Sequence, residues 1–124
     1  MILLDTNYLI RLLMSGSVEA RQVDLWLEER QSLCTSSICW YEFSSGPVDT
    51  EGTEIVDALL DGGILPFDAT TAIEASRLFN RTGRSRRLRV DAMIAAAAIT
   101  AGARLATGNQ ADFRVFASER LELV

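Results

Sequence analysis

An acid follows the first apolar segment of the chain, at a position where α/β proteins often place catalytic or ligand-binding residues. Asp5 ends the run Ile2-Leu3-Leu4, and such a short apolar run predicts a buried parallel strand. Ligands of open α/β sheets bind beyond the carboxyl ends of the strands, so we expect Asp5 at that edge. The alternative is that Asp5 only caps the helix that follows, since aspartate is a favoured N-cap residue.

Three further acids follow or interrupt apolar segments. Glu42 lies in a predicted helix with aromatic and apolar neighbours, where a carboxylate needs a partner other than water. Asp91 opens an alanine-rich helix that is apolar nearly all round and therefore predicted to be central. Asp112 follows an apolar segment, residues 104–106, through a polar turn. Simpler explanations are a solvent-facing Glu42, an Asp91 that favours the positive end of its helix, and a surface Asp112.

Carboxylates that converge on one crevice need a counter-charge. They repel one another and raise each other's proton affinity unless a cation lies between them. Oxygen ligands without histidine or thiolate indicate magnesium or manganese rather than zinc. Such an ion can polarise a phosphodiester, lower the pKa of a bound water and orient it for attack on phosphorus. The acids therefore predict metal-assisted hydrolysis of a phosphate ester.

The absence of histidine and lysine excludes several other catalytic chemistries. The chain has no histidine, and all 12 of its basic residues are arginine. It therefore has no Ser-His-Asp or Cys-His arrangement, and no lysine for a Schiff base or a Walker-type phosphate contact. Receiver domains and aspartate-nucleophile phosphatases also place acids at strand ends beside magnesium. Both also use a lysine, so the absence of lysine argues against these two classes.

Length and composition predict one globular domain over residues 1–124. The chain is 48% hydrophobic, and no apolar stretch approaches the roughly 20 residues of a spanning helix. The first residues read as a strand and not as a signal peptide, so we expect a cytoplasmic protein without membrane contact. Cys34 and Cys39 are interpreted as buried packing residues, because free cysteine is among the most buried residue types.

Short apolar runs alternate with helical patterns along the chain. The runs predict strands at residues 2–4, 33–35, 64–67 and 104–106. The patterns predict helices at residues 18–29, around Glu42, and at residues 50–61 and 68–82, with Ser36 or Ser37 and Asp68 as N-caps. This alternation predicts a parallel sheet covered by helices on both faces.

Positive charge is concentrated just before Asp91, although the net charge is −5. Five arginines lie in this part of the chain, namely Arg81, Arg84, Arg86, Arg87 and Arg89. We expect them to lie beside the acids. Arginine binds phosphate bidentately, so the segment predicts contact with a phosphodiester backbone, mainly through Arg84, Arg86 and Arg87. The alternatives are a solvated loop or a loop that pairs with an acidic protein.

Four segments together resemble the PIN-domain ribonucleases, and within them the VapC-type toxins of bacterial toxin–antitoxin pairs. They are Leu4-Asp5-Thr6-Asn7, residues 37–42, residues 83–96 and residues 107–113. The resemblance covers nearly the whole chain. It implies a three-layer α/β sandwich with a short, mainly parallel sheet of four to five strands and helices on both faces.

The resemblance also implies roles for the acids. Asp5, Glu42, Asp91 and Asp112 would surround one or two magnesium or manganese ions. Asp5 and Asp91 are the expected direct ligands, Glu42 binds metal or positions the attacking water, and Asp112 completes the pocket. Thr107 and Asn109 are expected as supporting polar groups at the same edge.

Members of this family cut RNA to leave a 5′-phosphate and a 3′-hydroxyl, usually as homodimers, and a cognate VapB-type antitoxin holds them inactive. The expected substrate is transfer or ribosomal RNA. The arginine-rich loop and residues 44–53 depart from the family pattern, but neither contains one of the four acids. Two alternatives remain, namely a PIN-like RNA- or protein-binding module without turnover and a phosphatase or phosphate sensor for small molecules.

Overall fold

Four short strands, all parallel, form the central sheet of the computed structural model, which describes residues 1–124. The strands are β1 (Ile2–Leu4), β2 (Leu33–Ser36), β3 (Ile64–Leu65) and β4 (Arg104–Ala106), in the order β3-β2-β1-β4. A single parallel bridge joins Leu105 to Leu123 beyond β4. The predicted parallel sheet is confirmed.

Seven α-helices and two short 3-10 helices connect and follow the strands. The α-helices are α1 (Thr6–Arg11), α2 (Val18–Glu28), α3 (Ser37–Ser44), α4 (Thr50–Leu59), α5 (Ala69–Arg81), α6 (Arg89–Ala101) and α7 (Gln110–Phe113). The 3-10 helices are Arg86–Leu88 and Arg114–Glu119. Ser36 caps α3 by accepting the backbone N–H of Cys39, and Asp68 caps α5 by accepting that of Thr71, as predicted.

The strand order puts helices on both faces of the sheet. The chain steps outward from β1 to β2 to β3, and then crosses back to place β4 on the other side of β1. Because crossovers between parallel strands are right-handed, the helices of connections that run in opposite directions across the sheet lie on opposite faces. The predicted three-layer α/β architecture is confirmed, and the order of strands reverses between β1 and β4.

The predicted strand bounds hold for β1 and β4, but β3 is shorter than expected. It covers two residues, whereas the apolar run predicted residues 64–67. Pro66 follows it directly, and proline has no N–H to donate to a neighbouring strand. Phe67 is 36% exposed, so the second half of the run lies outside the sheet.

Twenty-seven buried hydrophobic residues make up the core around this sheet. All three residues of β1 are buried, and so are Ala95 to Ala98 on α6, which confirms the predicted central position of that helix. Their small side chains let α6 approach α5 and the sheet closely. Cys34 and Cys39 are both fully buried free thiols, as expected. None of the helices combines the length and apolarity that crossing a membrane would require.

Candidate active site

Adjacent strands bring two polar residues side by side at the carboxyl edge of the sheet. Leu4 of β1 pairs with Ala106 of β4, so Asp5 and Thr107 leave the sheet together. The backbone N–H of Asp5 donates to the carbonyl of Ala106 at 3.0 Å, and Thr107 Oγ1 donates to Asp5 Oδ2 at 2.7 Å. Both residues are buried. This edge lies where the strand order reverses, the usual ligand crevice of an open α/β sheet.

The Asp5 carboxylate is held from several sides. Its Oδ1 accepts the backbone N–H of Thr6 at 2.8 Å, so Asp5 does cap α1. The Cys39 thiol also approaches Oδ1, at 3.6 Å. Because Thr107 and Cys39 come from distant parts of the chain, the Asp5 carboxylate is fixed by tertiary contacts as well as by the cap.

Asp91 lies in the first turn of α6, half-buried and without a hydrogen-bond partner for its carboxylate. Its pKa is raised to about 6, first by burial and then by the negative charges of Asp5, Asp112 and Glu42, in that order. Arg87 opposes this rise. The causes of the shift put the charges of the other three predicted acids within electrostatic reach of Asp91.

Glu42 takes a different position from the one its neighbours in sequence indicated. Its side chain is exposed, so the expected apolar surroundings are wrong and the solvent-facing alternative describes it better. It is nevertheless held, since Thr6 Oγ1 donates to Glu42 Oε1 at 2.8 Å. Thr6 therefore ties α1 to α3 through this carboxylate, and through its backbone N–H it also contacts Asp5.

Asp112 lies in α7 and has two partners. Asn109 Nδ2 donates to its Oδ2 at 2.8 Å, and Arg87 Nη1 donates to its Oδ1 at 2.9 Å. These bonds hold the pKa of Asp112 below its ordinary value, with Asn109 the larger cause. The backbone N–H of Asn109 also donates to Thr107 Oγ1 at 3.0 Å. Thr107 and Asn109 thus connect Asp5 to Asp112.

The arginines before Asp91 do not form one basic cluster beside the acids, and that expectation is wrong. Only Arg87 pairs with an acid of the site. Arg81 pairs with Glu119 at 2.8 Å, while the guanidinium groups of Arg84 and Arg89 lie over Phe79. Arg84 also bonds to Asn80.

Arg86 completes this set of arginines. It is exposed and in no ion pair. The division of the arginines has a local cause, because Arg81 belongs to the last turn of α5 and the following residues turn back in a 3-10 helix.

The donor set fits a hard divalent cation. The candidate ligands are all carboxylate oxygens, and Asp91 is partly desolvated among other negative charges, an arrangement that a cation stabilises. No three acidic or cysteine side chains are arranged so that they could hold a metal ion in their present positions. Glu42 and Asp112 are each engaged with another side chain, whereas Asp91 is not.

Two residues of the site were missed in the sequence. Thr6 follows Asp5 directly, and a hydroxyl at a strand-to-helix turn is the signal that could have identified it. Cys39 was interpreted as packing alone, and its burial is confirmed, but its thiol also contacts Asp5. Burial and the charge of Asp5 raise the pKa of the Cys39 thiol to about 12, so it stays protonated.

The sequence matches the PIN domain family model over residues 2–118. The chain belongs to the PIN domain family. The predicted resemblance is therefore confirmed over nearly the whole chain. No curated protein matches this PIN domain.

Solved structures of toxin–antitoxin complexes share the fold. VapBC2 from Rickettsia felis bound to a promoter DNA fragment aligns with a TM-score of 0.73 and 21% identity, covering 100% of this chain and 98% of that one. VapBC-1 from nontypeable Haemophilus influenzae gives 0.74 and 19%, covering 100% and 97%. A toxin–antitoxin complex from Klebsiella pneumoniae gives 0.69 and 28%, covering 92% and 91%. The PIN domain described above therefore has the fold seen in these complexes.

Proposed function

We propose that this PIN domain is a magnesium- or manganese-dependent endoribonuclease, the VapC-type toxin of a toxin–antitoxin pair. The observation that carries the proposal is the position of Asp91, which is half-buried, unpaired and raised in pKa to about 6 beside three other acids. Structural acids are normally paired, whereas a group shifted by burial and like charge in a crevice is typical of a functional site.

The four carboxylates take different roles in this proposal. Asp5 and Asp91 hold the ion, since Asp5 is fixed by Thr107 and Asp91 has no competing partner. Asp112 completes the acidic pocket. Glu42 is exposed and held by Thr6, a position that suits orienting the attacking water or accepting its proton.

The chemistry proposed is hydrolysis of an RNA phosphodiester. When bound, the ion would polarise the phosphate and lower the pKa of a bound water. The water oxygen forms a bond to phosphorus and gives up its proton to Glu42 or to solvent, while the bond from phosphorus to the 3′-oxygen breaks and this oxygen takes up a proton from solvent. The products are a 5′-phosphate and a 3′-hydroxyl. Arg87 is exposed beside Asp112 and can contact a phosphate of the substrate, and we retain Arg84 and Arg86 as further RNA contacts.

The partners are proposed from the solved neighbours. The structures that share this fold are complexes of toxins with antitoxins, which supports a VapB-type antitoxin as the partner of this chain. A homodimer and a transfer or ribosomal RNA substrate are proposed from the family resemblance alone, and with such a substrate we expect the activity in the cytoplasm.

One observation favours a second candidate, a PIN-like binding module without turnover. The acids do not form a ready metal-binding group as they stand. The two candidates differ in whether an ion draws the carboxylates together, and therefore in whether RNA is cut.

The test is cleavage of a labelled transfer-RNA pool by the antitoxin-free chain. Cuts that need magnesium or manganese, and that disappear with chelator and in Asp5→Asn, would support the nuclease. Folded protein that binds RNA without cutting it under either metal would support the binding module. Asp24→Asn is the control, because Asp24 is an exposed acid on α2, a helix that carries none of the four acids.

A further inference from the structure

A polar cavity of about 450 Å³ opens beside the acids, between α1, the start of α2 and the turn after β4. We propose that it binds the RNA nucleotide that flanks the scissile phosphate, and that Arg11 contacts the phosphate of this nucleotide. The inference rests on the proposed function and assigns a substrate subsite to it. The volume of the cavity falls in the range of small-ligand sites, about 300–1,000 Å³. Its lining includes Asn7, Ile10, Arg11, Met14, Glu19 and Asn109.

Arg11 keeps free donors after its ion pair with Glu19. Its Nε donates to Glu19 Oε1 at 3.0 Å, and this is the only hydrogen bond of the guanidinium. The Arg11 side chain is 54% exposed, whereas that of Glu19 is 15% exposed. The partly buried Glu19 carboxylate therefore orients the guanidinium and leaves both Nη groups open. Two parallel N–H donors match the geometry of a phosphate.

The lining of the cavity also suits a base. Ile10 and Met14 are 41% and 53% exposed and form its apolar part. A methionine sulfur packs favourably against an aromatic ring, so these side chains can support a nucleobase. The Asn7 amide makes no hydrogen bond within the protein and can donate to and accept from a base or ribose.

Asn109 connects the cavity to the acids. It lines the cavity, and its side chain donates to Asp112 at 2.8 Å. Its backbone N–H donates to Thr107, which in turn donates to Asp5. Asn109 thus contacts Asp112 directly and Asp5 through Thr107, so a nucleotide in the cavity lies next to the acids and the next phosphate of the strand can reach them.

The test measures RNA binding separately from cleavage. In an Asp91→Asn background, which prevents turnover, labelled transfer RNA is titrated by fluorescence anisotropy over a range of salt concentrations. Arg11→Gln should weaken binding about tenfold and reduce the slope of log K against log salt by about 0.7, the value for one phosphate contact on a single strand. In the otherwise native chain it should raise KM far more than it lowers kcat.

Matched variants separate a lost contact from a damaged fold. Arg21→Gln removes the same charge from α2 at an exposed arginine that does not line the cavity, and it should leave binding unchanged. Arg11→Gln leaves the partly buried Glu19 carboxylate without its partner, so the double variant Arg11→Gln with Glu19→Gln is tested beside it. Arg11→Lys should keep the salt slope and lose part of the affinity, because lysine retains the charge but not the paired donors.

The outcomes distinguish the subsite from the proposed function. If the native chain cuts RNA and the Arg11 variants bind and cut as the native chain does, the subsite is overturned and the nuclease stands. If the native chain neither binds nor cuts RNA, both are overturned. If the Arg11 variants lose binding to a co-expressed antitoxin but not to RNA, the cavity serves a protein partner and the RNA subsite is again overturned.

Discussion

Arg87 Nη1 lies 2.9 Å from Asp112 Oδ1, so an arginine of this chain already neutralises one acid of the candidate site. The Arg87 side chain is 67% exposed and that of Asp112 is 33% exposed. Arg87 also lowers the pKa of Asp91 against the effect of the surrounding acids. It acts as a counter-ion that a divalent cation would have to compete with.

Removing this counter-ion should strengthen cation binding. We expect Arg87→Gln to raise the affinity of the free protein for Mn²⁺ several-fold, because one positive charge leaves the acids. Isothermal titration with Mn²⁺ measures the change. Arg86→Gln is the matched control, since Arg86 is exposed and pairs with no acid. Equal affinities for the two variants would show that the Arg87 to Asp112 pair does not influence the site.

Asp91 should destabilise the metal-free fold at neutral pH. Its pKa is raised to about 6 in the folded protein, so between about pH 4 and pH 6 the folded chain binds a proton that the unfolded chain has lost. The free energy of unfolding therefore falls as the pH rises through this range. Above about pH 6 the whole destabilisation by the Asp91 charge is present. We expect Asp91→Asn to raise Tm by a few degrees at pH 7.5 in chelator, and to abolish cleavage.

The pH dependence of this gain is the sharper observation. Near pH 4 the Asp91 carboxyl of the folded chain is protonated, so the Tm difference between Asp91→Asn and the native protein should disappear. Thermal denaturation at both pH values gives the comparison, with Asp24→Asn as an exposed control. A Tm difference of the same size at both pH values would contradict the electrostatic origin of the shift.

Thr107 should be needed for the conformation of Asp5. Thr107→Val keeps the shape of the side chain but removes the donor to Asp5 and the acceptor of the Asn109 N–H. We expect a loss of about 1–3 kcal/mol in the free energy of unfolding, the usual cost of leaving a buried polar group without its partner. Thr107→Ser retains the hydroxyl and should lose much less. Urea denaturation of both variants decides the point, and equal losses would show that the hydroxyl of Thr107 contributes no more to stability than its methyl group.

Both thiols should be unreactive in the native protein. Cys34 and Cys39 are fully buried, and burial raises their pKa values to about 11 and about 12. Since the thiolate is the reactive form, we expect no thiol to react with a disulfide reagent at pH 8, and two after denaturation. Rapid labelling of Cys39 in the folded chain would show that the contact with Asp5 opens readily.

The sequence was informative wherever a pattern is local. The bounds of β1 and β4 follow from short apolar runs ended by polar residues, and the caps of α3 and α5 follow from single side chains. The order of the four acids was also readable, because each follows or opens a recognisable segment. Pairing of β1 with β4 then makes neighbours of Asp5 and Thr107, residues 102 positions apart.

The partners of long side chains could not be read in this way. Five arginines close in sequence separate in space, because α5 ends at Arg81 and a 3-10 helix begins at Arg86. A flexible guanidinium takes the nearest acid or aromatic ring, and for Arg81 that is Glu119, far along the chain. The exposure of Glu42 and the cavity beside Arg11 likewise depend on how helices pack, which no local pattern encodes.

The position of β4 beside β1 has a consequence for synthesis of the chain. A ribosome makes Asp5 102 residues before Thr107, and Asp112 follows later still. A nascent chain that has not reached β4 lacks the hydroxyl that fixes Asp5 and the fourth acid of the pocket. The complete site therefore cannot assemble before β4 and α7 have both been translated.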